Sequence, residues 1–201
     1  MIVIIDYGTG NLGSISNMIR KVNGECIVTN DIEKISNASK IILPGVGSYG
    51  RAVQALKEKK IFDILKDKMI SKDSYILGIC LGMQLLCEGS EESKEEGFGV
   101  FEGLCKKFSN EPLTPLQTFM GWSKIIKKKN HELFKDINEI NRFYFLHSYF
   151  YPLHENYTYC YSTNSFKYSA FIVKDKIFGL QFHPERSHHF GKKIFENFIN
   201  L

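Results

Sequence analysis

The chain alternates between short continuous apolar runs and segments whose apolar residues recur every three or four positions. Ile2 to Ile5, Glu25 to Thr29, Lys40 to Leu43 and Tyr75 to Ile79 are too short for helices. Their apolar character suits strands buried on both faces, as in a parallel sheet. Ser14 to Lys21 puts Ile15, Met18 and Ile19, with the following Val22, on one helical face. Arg51 to Met69 reads as one or two helices with Ala52, Val53, Leu56, Ile61, Phe62, Ile64 and Leu65 inward. A further helix is predicted over Leu81 to Glu88. Strands alternating with helices predict an α/β fold with an open, mostly parallel central sheet flanked by helices.

Beyond the acidic segment Gly89 to Glu96 the texture changes. Gly97 to Phe101 and Leu104 to Phe108 read as strand and turn, and Glu111 to Gln117, with Pro112 and Pro115, as an irregular loop. Trp122 to Lys127, Arg142 to Tyr149, Tyr157 to Thr163, Phe171 to Lys174 and Ile177 to Phe182 are rich in aromatic and β-branched residues. They predict strands, in an additional, largely antiparallel layer supplied by the C-terminal half. His188 to Leu201 closes the chain as an amphipathic helix. No linker or repeat interrupts it, so residues 1–201 are expected to form a single domain.

Composition narrows this picture. The 201 residues are 43% hydrophobic and 24% charged, the balance of a soluble globular chain. The net charge of +4 is small, and Lys127-Lys128-Lys129 lacks the interleaved aromatics of a nucleic-acid surface. Five cysteines without C-x-x-C spacing predict neither a zinc site nor a disulfide framework, and no metal or cofactor is expected. Met1 to Ile5 meets Asp6 without a basic leader, and no run approaches a membrane span, so a cytoplasmic chain is expected.

The chemistry gathers at strand ends. Tyr75 to Ile79 runs into Gly78-Ile79-Cys80-Leu81-Gly82, a glycine-flanked turn of the kind that lifts a nucleophile above a sheet. The last strand ends in His183-Pro184-Glu185. There a base is followed two residues later by a carboxylate that can orient it, with proline limiting the turn between them. A catalytic cysteine needs such a base within hydrogen-bond reach. Two glycine loops follow other strands. Pro44-Gly45-Val46-Gly47 can turn backbone N–H groups into a cavity. Gly8, Gly10 and Gly13 match G-x-G-x-x-G, although no convincing ribose-binding acid follows.

With these motifs in order, and with Met120-Gly121-Trp122, His147-Ser148-Tyr149 and Gln181-Phe182 before the histidine, the sequence resembles the class I (triad) glutamine amidotransferases. Within them it is most similar to the HisH-type glutaminase subunits that serve imidazole glycerol phosphate synthase. The resemblance implies glutamine hydrolysis through a thioester on Cys80, with His183 and Glu185 completing the triad. It implies an oxyanion hole from Val46, Gly47 and Leu81, and glutamine binding by Gly47, Gln84, Glu92, Ser148 and Tyr149. The ammonia would pass to a (β/α)8-barrel synthase of the HisF type, in a heterodimer whose interface lies near Asn11-Leu12, Met120-Gly121-Trp122 and His147 to Tyr149. Trp122 is expected to be a core or interface anchor rather than a chemical group. Two departures fall near that region: Phe119 and Ser123 flank Met-Gly-Trp where histidine and asparagine are common, and Arg186-Ser187-His188-His189 follows Glu185. A HisF-like synthase of surface-sugar amidation therefore remains an alternative partner. A DJ-1/PfpI-like Cys–His hydrolase remains an alternative of another class, disfavoured by Gln84 and the terminal His-Pro-Glu.

Overall fold

Four of the buried apolar runs lie side by side. A computed structural model describes residues 1–108, 118–139, 141–164 and 166–201. The loop expected over Glu111 to Gln117 lies outside the described residues. Strands β1 (Ile2–Ile5), β2 (Cys26–Thr29), β3 (Lys40–Leu43) and β4 (Tyr75–Ile79) are parallel, in the order β2-β1-β3-β4. The three inner strands bury nearly every side chain, which is why they carry no polar alternation. Alternate residues of β1 feed opposite cores. Ile2 and Ile4 face α1 (Leu12–Lys21) and the C-terminal helix α6 (His188–Asn200). Val3 and Ile5 face α2 (Ile32–Ser36), α3 (Tyr49–Glu58) and α4 (Ile61–Ser71).

The antiparallel strands expected of the C-terminal half are present, and their placement is more specific than a stacked layer. β13 (Ile177–Leu180) inserts parallel beside β4. Beyond it β12 (Tyr168–Lys174), β11 (Thr158–Ser162) and β8 (Ile125–Lys127), each antiparallel to the strand before it in the sheet, carry the same sheet to eight strands. The remaining strands form small sheets of their own. One pairs β7 (Phe119–Ser123) with β9 (Phe143–His147). The other joins β10 (Tyr149–Phe150), β6 (Phe101–Lys107) and β5 (Cys87–Ser90).

Strand β8 is the outer edge of the large sheet, where an unpaired backbone would invite another strand. Asn141 covers it: the amide of Ile125 donates to Asn141 Oδ1 at 2.9 Å, and Asn141 Nδ2 donates to the Ile125 carbonyl at 3.2 Å.

The helix predicted over Leu81 to Glu88 is shorter than its apolar pattern. α5 spans Leu81–Leu85, and Cys87 already pairs with Phe101 in the small sheet. Burial of Cys87 and Gly89 against β6 and its connection outweighs helical periodicity here, because both helix and strand would keep these residues from water.

Close backbone approach holds the turn between β4 and α5. A Cβ at Gly82 would sit 1.9 Å from the Leu43 carbonyl oxygen, and one at Gly78 would sit 2.6 Å from the Gly82 oxygen. Neither backbone can retreat without opening the β3–β4 pairing, so no side chain fits. Gly82→Ala is therefore expected to cost about 3 kcal/mol or more, the upper range for overpacking a core. Urea unfolding of the variant against the unaltered chain checks this; a loss below about 1 kcal/mol would contradict the packing argument.

Candidate active site

Because β4 and β13 are parallel neighbours, their C-terminal ends open on the same edge of the sheet. Cys80 follows β4 and His183 follows β13 by three residues, so topology alone delivers a thiol and an imidazole to one place. Cys80 has φ 55° and ψ −107°, backbone angles that cost an L-residue of order 1–3 kcal/mol. Its N–H donates to the Leu180 carbonyl at 2.7 Å, and its carbonyl accepts from Gln84 N at 3.2 Å. Strand and helix thus clamp the strained residue from both sides. Its Sγ donates to the Leu146 carbonyl at 3.5 Å and receives Gln181 Nε2 at 3.8 Å.

The histidine is held as firmly. His183 N donates to the Tyr144 carbonyl at 2.8 Å, Ser187 Oγ donates to the His183 carbonyl at 2.6 Å, and Tyr144 N donates back to Ser187 Oγ at 3.0 Å. His183 Nδ1 meets Glu185 Oε1 at 2.9 Å, with both side chains almost wholly buried. That contact leaves Nε2, which is buried and has no hydrogen-bond partner within normal distance. Burial opposes a charged ring at His183. The charge on Cys80 and its contact, then the Glu185 carboxylate, outweigh burial and raise the imidazole to about 10.

Above Cys80 opens a cavity of about 250 Å³ lined by Val46, Gly47, Cys80, Leu81, Gln84, Glu92, Thr118, Leu146, His147, Ser148 and Tyr149. Val46, Gly47, Cys80, Leu81, Gln84, Glu92, Ser148 and Tyr149, singled out from the sequence, all meet in this wall; His183 and Glu185 are buried at the neighbouring strand end. Glu92, which sits in an acidic run that could have been plain solvated surface, turns into the cavity and is close enough to Tyr149 for its charge, after burial, to help raise that phenol. Gln84 Nε2 donates to the Tyr149 carbonyl at 2.9 Å and to Gln181 Oε1 at 3.3 Å, which leaves its own carbonyl oxygen as the acceptor offered to a ligand. Gly47 has φ +95° with open space where a Cβ would be, consistent with a loop that presents its backbone.

Three contributors receive no role from the sequence, Gln181 figuring there only as part of the motif before His183. Gln181 bridges the thiol and Gln84 from a fully buried position. Tyr7, beneath the glycine loop, donates to the Pro44 carbonyl at 2.7 Å and so anchors the Val46–Gly47 segment. Thr118, at the cavity rim, shares a 2.6 Å hydrogen bond with Ser148 Oγ. The glycine loop after β1 thus supports the site through Tyr7, in keeping with its missing ribose-binding acid. Trp122 is no core residue: it is 43% exposed, stacks on His188 at 5.1 Å and meets Tyr144 edge-on.

A family model of class-I glutamine amidotransferases matches residues 3–201. The chain belongs to this family. The imidazole glycerol phosphate synthase subunit HisH 2 of Methanococcus maripaludis is 45% identical over 203 residues, covering 99% of this chain and 98% of its own. The subunit of the same designation from Pseudomonas aeruginosa is 37% identical over 202 residues, covering 100% of both. A crystal structure of a glutamine amidotransferase, 14% identical, superposes with a TM-score of 0.76 over 100% of both chains and speaks to the fold alone. Full-length likeness to HisH subunits makes this amidotransferase a HisH-type member. No helix among its described residues is long and apolar enough to cross a membrane.

One histidine of this amidotransferase behaves oppositely to His183. His147 is boxed by Phe108, Phe119, Phe145 and Tyr168, and its Nδ1 lies 2.8 Å from the Tyr149 carbonyl. That contact makes Nδ1 the protonated nitrogen of a neutral ring. Burial, more than the nearby His183 charge, lowers its pKa to about 3. The neutral ring fits the fold, whereas the unfolded chain binds a proton below about 6.5. Stability from His147 is therefore complete above that pH and is lost as pH falls toward 3, at about 1.4 kcal/mol per unit. His183 is present in both chains, so its own contribution cancels in a comparison with a His147 variant. Between pH 6.5 and 5.0 the unaltered chain should lose about 2 kcal/mol more than His147→Gln. Urea unfolding at both pH values checks this, and parallel losses would refute it.

Proposed function

We propose that residues 1–201 act as one glutaminase domain, the HisH-type subunit of an imidazole glycerol phosphate synthase in histidine biosynthesis, working in the cytoplasm. The observation that carries the reading is the thiol of Cys80 at the floor of the cavity, with His183 beside it and Glu185 fixing the imidazole from behind. The fit of the wall to an amino acid supports it further. Glu92 offers a charge for the α-ammonium group, and the Gln84 carbonyl offers an acceptor.

The steps follow from these positions. With the Cys80 proton already on His183 Nε2, the thiolate attacks the side-chain carbonyl carbon of L-glutamine. The oxyanion is received by backbone N–H groups of Leu81 and of the Val46–Gly47 segment, for which preorganised donors are typically worth about 3 kcal/mol each. His183 returns its proton to the leaving nitrogen, ammonia departs, and a γ-glutamyl thioester remains. His183 then takes a proton from water as the water attacks the thioester, and glutamate leaves while the thiol is restored. Gly47, Gln84, Glu92, Ser148 and Tyr149 hold the substrate during both halves.

Ammonia is mostly protonated in neutral water, so a partner that consumes it must receive it without exposure. A HisF-type (β/α)8-barrel subunit is that partner in this reading. The exposed Met120 and Trp122, on a strand pair adjoining the cavity, give it an apolar seat. A second reading keeps the glutaminase and changes the acceptor to a sugar-amidating synthase. It is favoured by Phe119 and Ser123 beside that seat and by the stacking of His188 on Trp122.

Cys80→Ala should lower glutamine-dependent synthesis by the complex at least 10³-fold while ammonia-dependent synthesis persists. Equal loss of both activities would remove Cys80 from the role. The partner question is answered by mass spectrometry of the complex purified from cells: a synthase of the histidine pathway is expected, and a sugar-amidating synthase would replace the first reading with the second.

A further inference from the structure

Free glutamine carries two charges, and the cavity supplies an obvious partner for one of them. Glu92 is an anion at the wall and suits the α-ammonium group. No lysine or arginine lines the cavity among the described residues, and residues 109–117, outside that set, contain neither. The one basic lining side chain, His147, is held neutral by burial. An α-carboxylate that enters must therefore be met by uncharged donors.

The rim carries a matched pair of them. β7 and β9 align Phe119 with His147, and one step further along the same register Thr118 stands across from Ser148. Their hydroxyls lie 2.6 Å apart, and both residues line the cavity. Each hydroxyl has one proton. The bond between the two oxygens uses one of these protons and not the other. An anion placed against both oxygens lets each donate outward, as charge-assisted hydrogen bonds that are stronger than the neutral one they replace.

We propose that the Thr118 and Ser148 hydroxyls together receive the α-carboxylate of glutamine, making Thr118 a specificity-determining residue of this site. The proposal rests on the glutaminase reading and adds to it how a free amino acid is told from its decarboxylated analogue. Thr118 interacts with a group remote from the reacting carbon, so its hydroxyl contributes to binding far more than to turnover.

The test compares L-glutamine with 4-aminobutanamide, which keeps the amine and the amide and lacks the carboxylate. It is run on the complex with its synthase partner. Thr118→Val, nearly isosteric, should raise KM for glutamine roughly tenfold with kcat altered less than about twofold. The kcat/KM for 4-aminobutanamide should stay within about twofold, and Thr118→Ser should restore the glutamine value. An unchanged KM for glutamine, or an equal loss on both substrates, overturns the role of Thr118. Calorimetric titration of glutamine into Cys80→Ala chains with and without Thr118→Val repeats the comparison without turnover. A tenfold weaker Kd supports the proposal, and an equal Kd overturns it. If Cys80→Ala chains bind no glutamine at all, the glutaminase reading falls along with it.

Discussion

The contact on which the site depends is between two backbones, Gly82 at the start of α5 and the carbonyl of Leu43 at the end of β3. It lets α5 settle onto the sheet edge at a distance no side chain permits. Once it is there, Cys80 has no relaxed backbone geometry available, and its positive φ is maintained by hydrogen bonds to Leu180 and Gln84 on either side. The same descent puts Leu81 against Gly45, so the two segments proposed to receive the oxyanion are in contact through their backbones. A single packing constraint thus exposes the thiol and sets the loop opposite it.

From this edge the rest of the wall is supplied by elements distant in sequence. β13 brings His183 because it is the parallel neighbour of β4, and α6 packs against the turn that follows, where Gly191 lies beneath the Pro184 carbonyl. The small β7–β9 sheet brings Thr118, His147 and Ser148 over the top. The two histidines then differ by environment alone. His183 faces a thiol and a carboxylate and favours charge, while His147 lies among aromatic rings and rejects it. The cavity consequently holds its positive charge beside the nucleophile and nowhere else along its basic lining.

Much of this was legible from residues alone, and the reason is physical. Strands β1, β3 and β4 could be read to the residue, because burial on both faces leaves an uninterrupted apolar run with polar or glycine stops. The strand ends carrying Cys80 and His183 followed from the same runs, and an α/β sheet places such ends together. What periodicity cannot express is which strand neighbours which. That β12, β11 and β8 extend the main sheet is decided by the pairing of β13 with β4, whose residues are about a hundred positions apart, and of β8 with β11. The helix beyond Leu85 was misread because a buried apolar stretch satisfies either period. Tyr7 and Thr118 have no role legible in the sequence for another reason: each acts through one hydrogen bond to a residue far along the chain, with no spacing to betray it, and Gln181, visible as part of a motif, shows its two bonds only in the fold.

Asn141 has a consequence at the outer edge of the large sheet. Its amide occupies both backbone groups of Ile125 on the outermost strand, the place where a strand from another copy would otherwise add. Exposed Met120 and Trp122 stand a few residues before that strand, on β7. At Ile125 a strand from a second copy finds both backbone groups already engaged. One side-chain amide thus blunts the sheet edge nearest an exposed apolar pair.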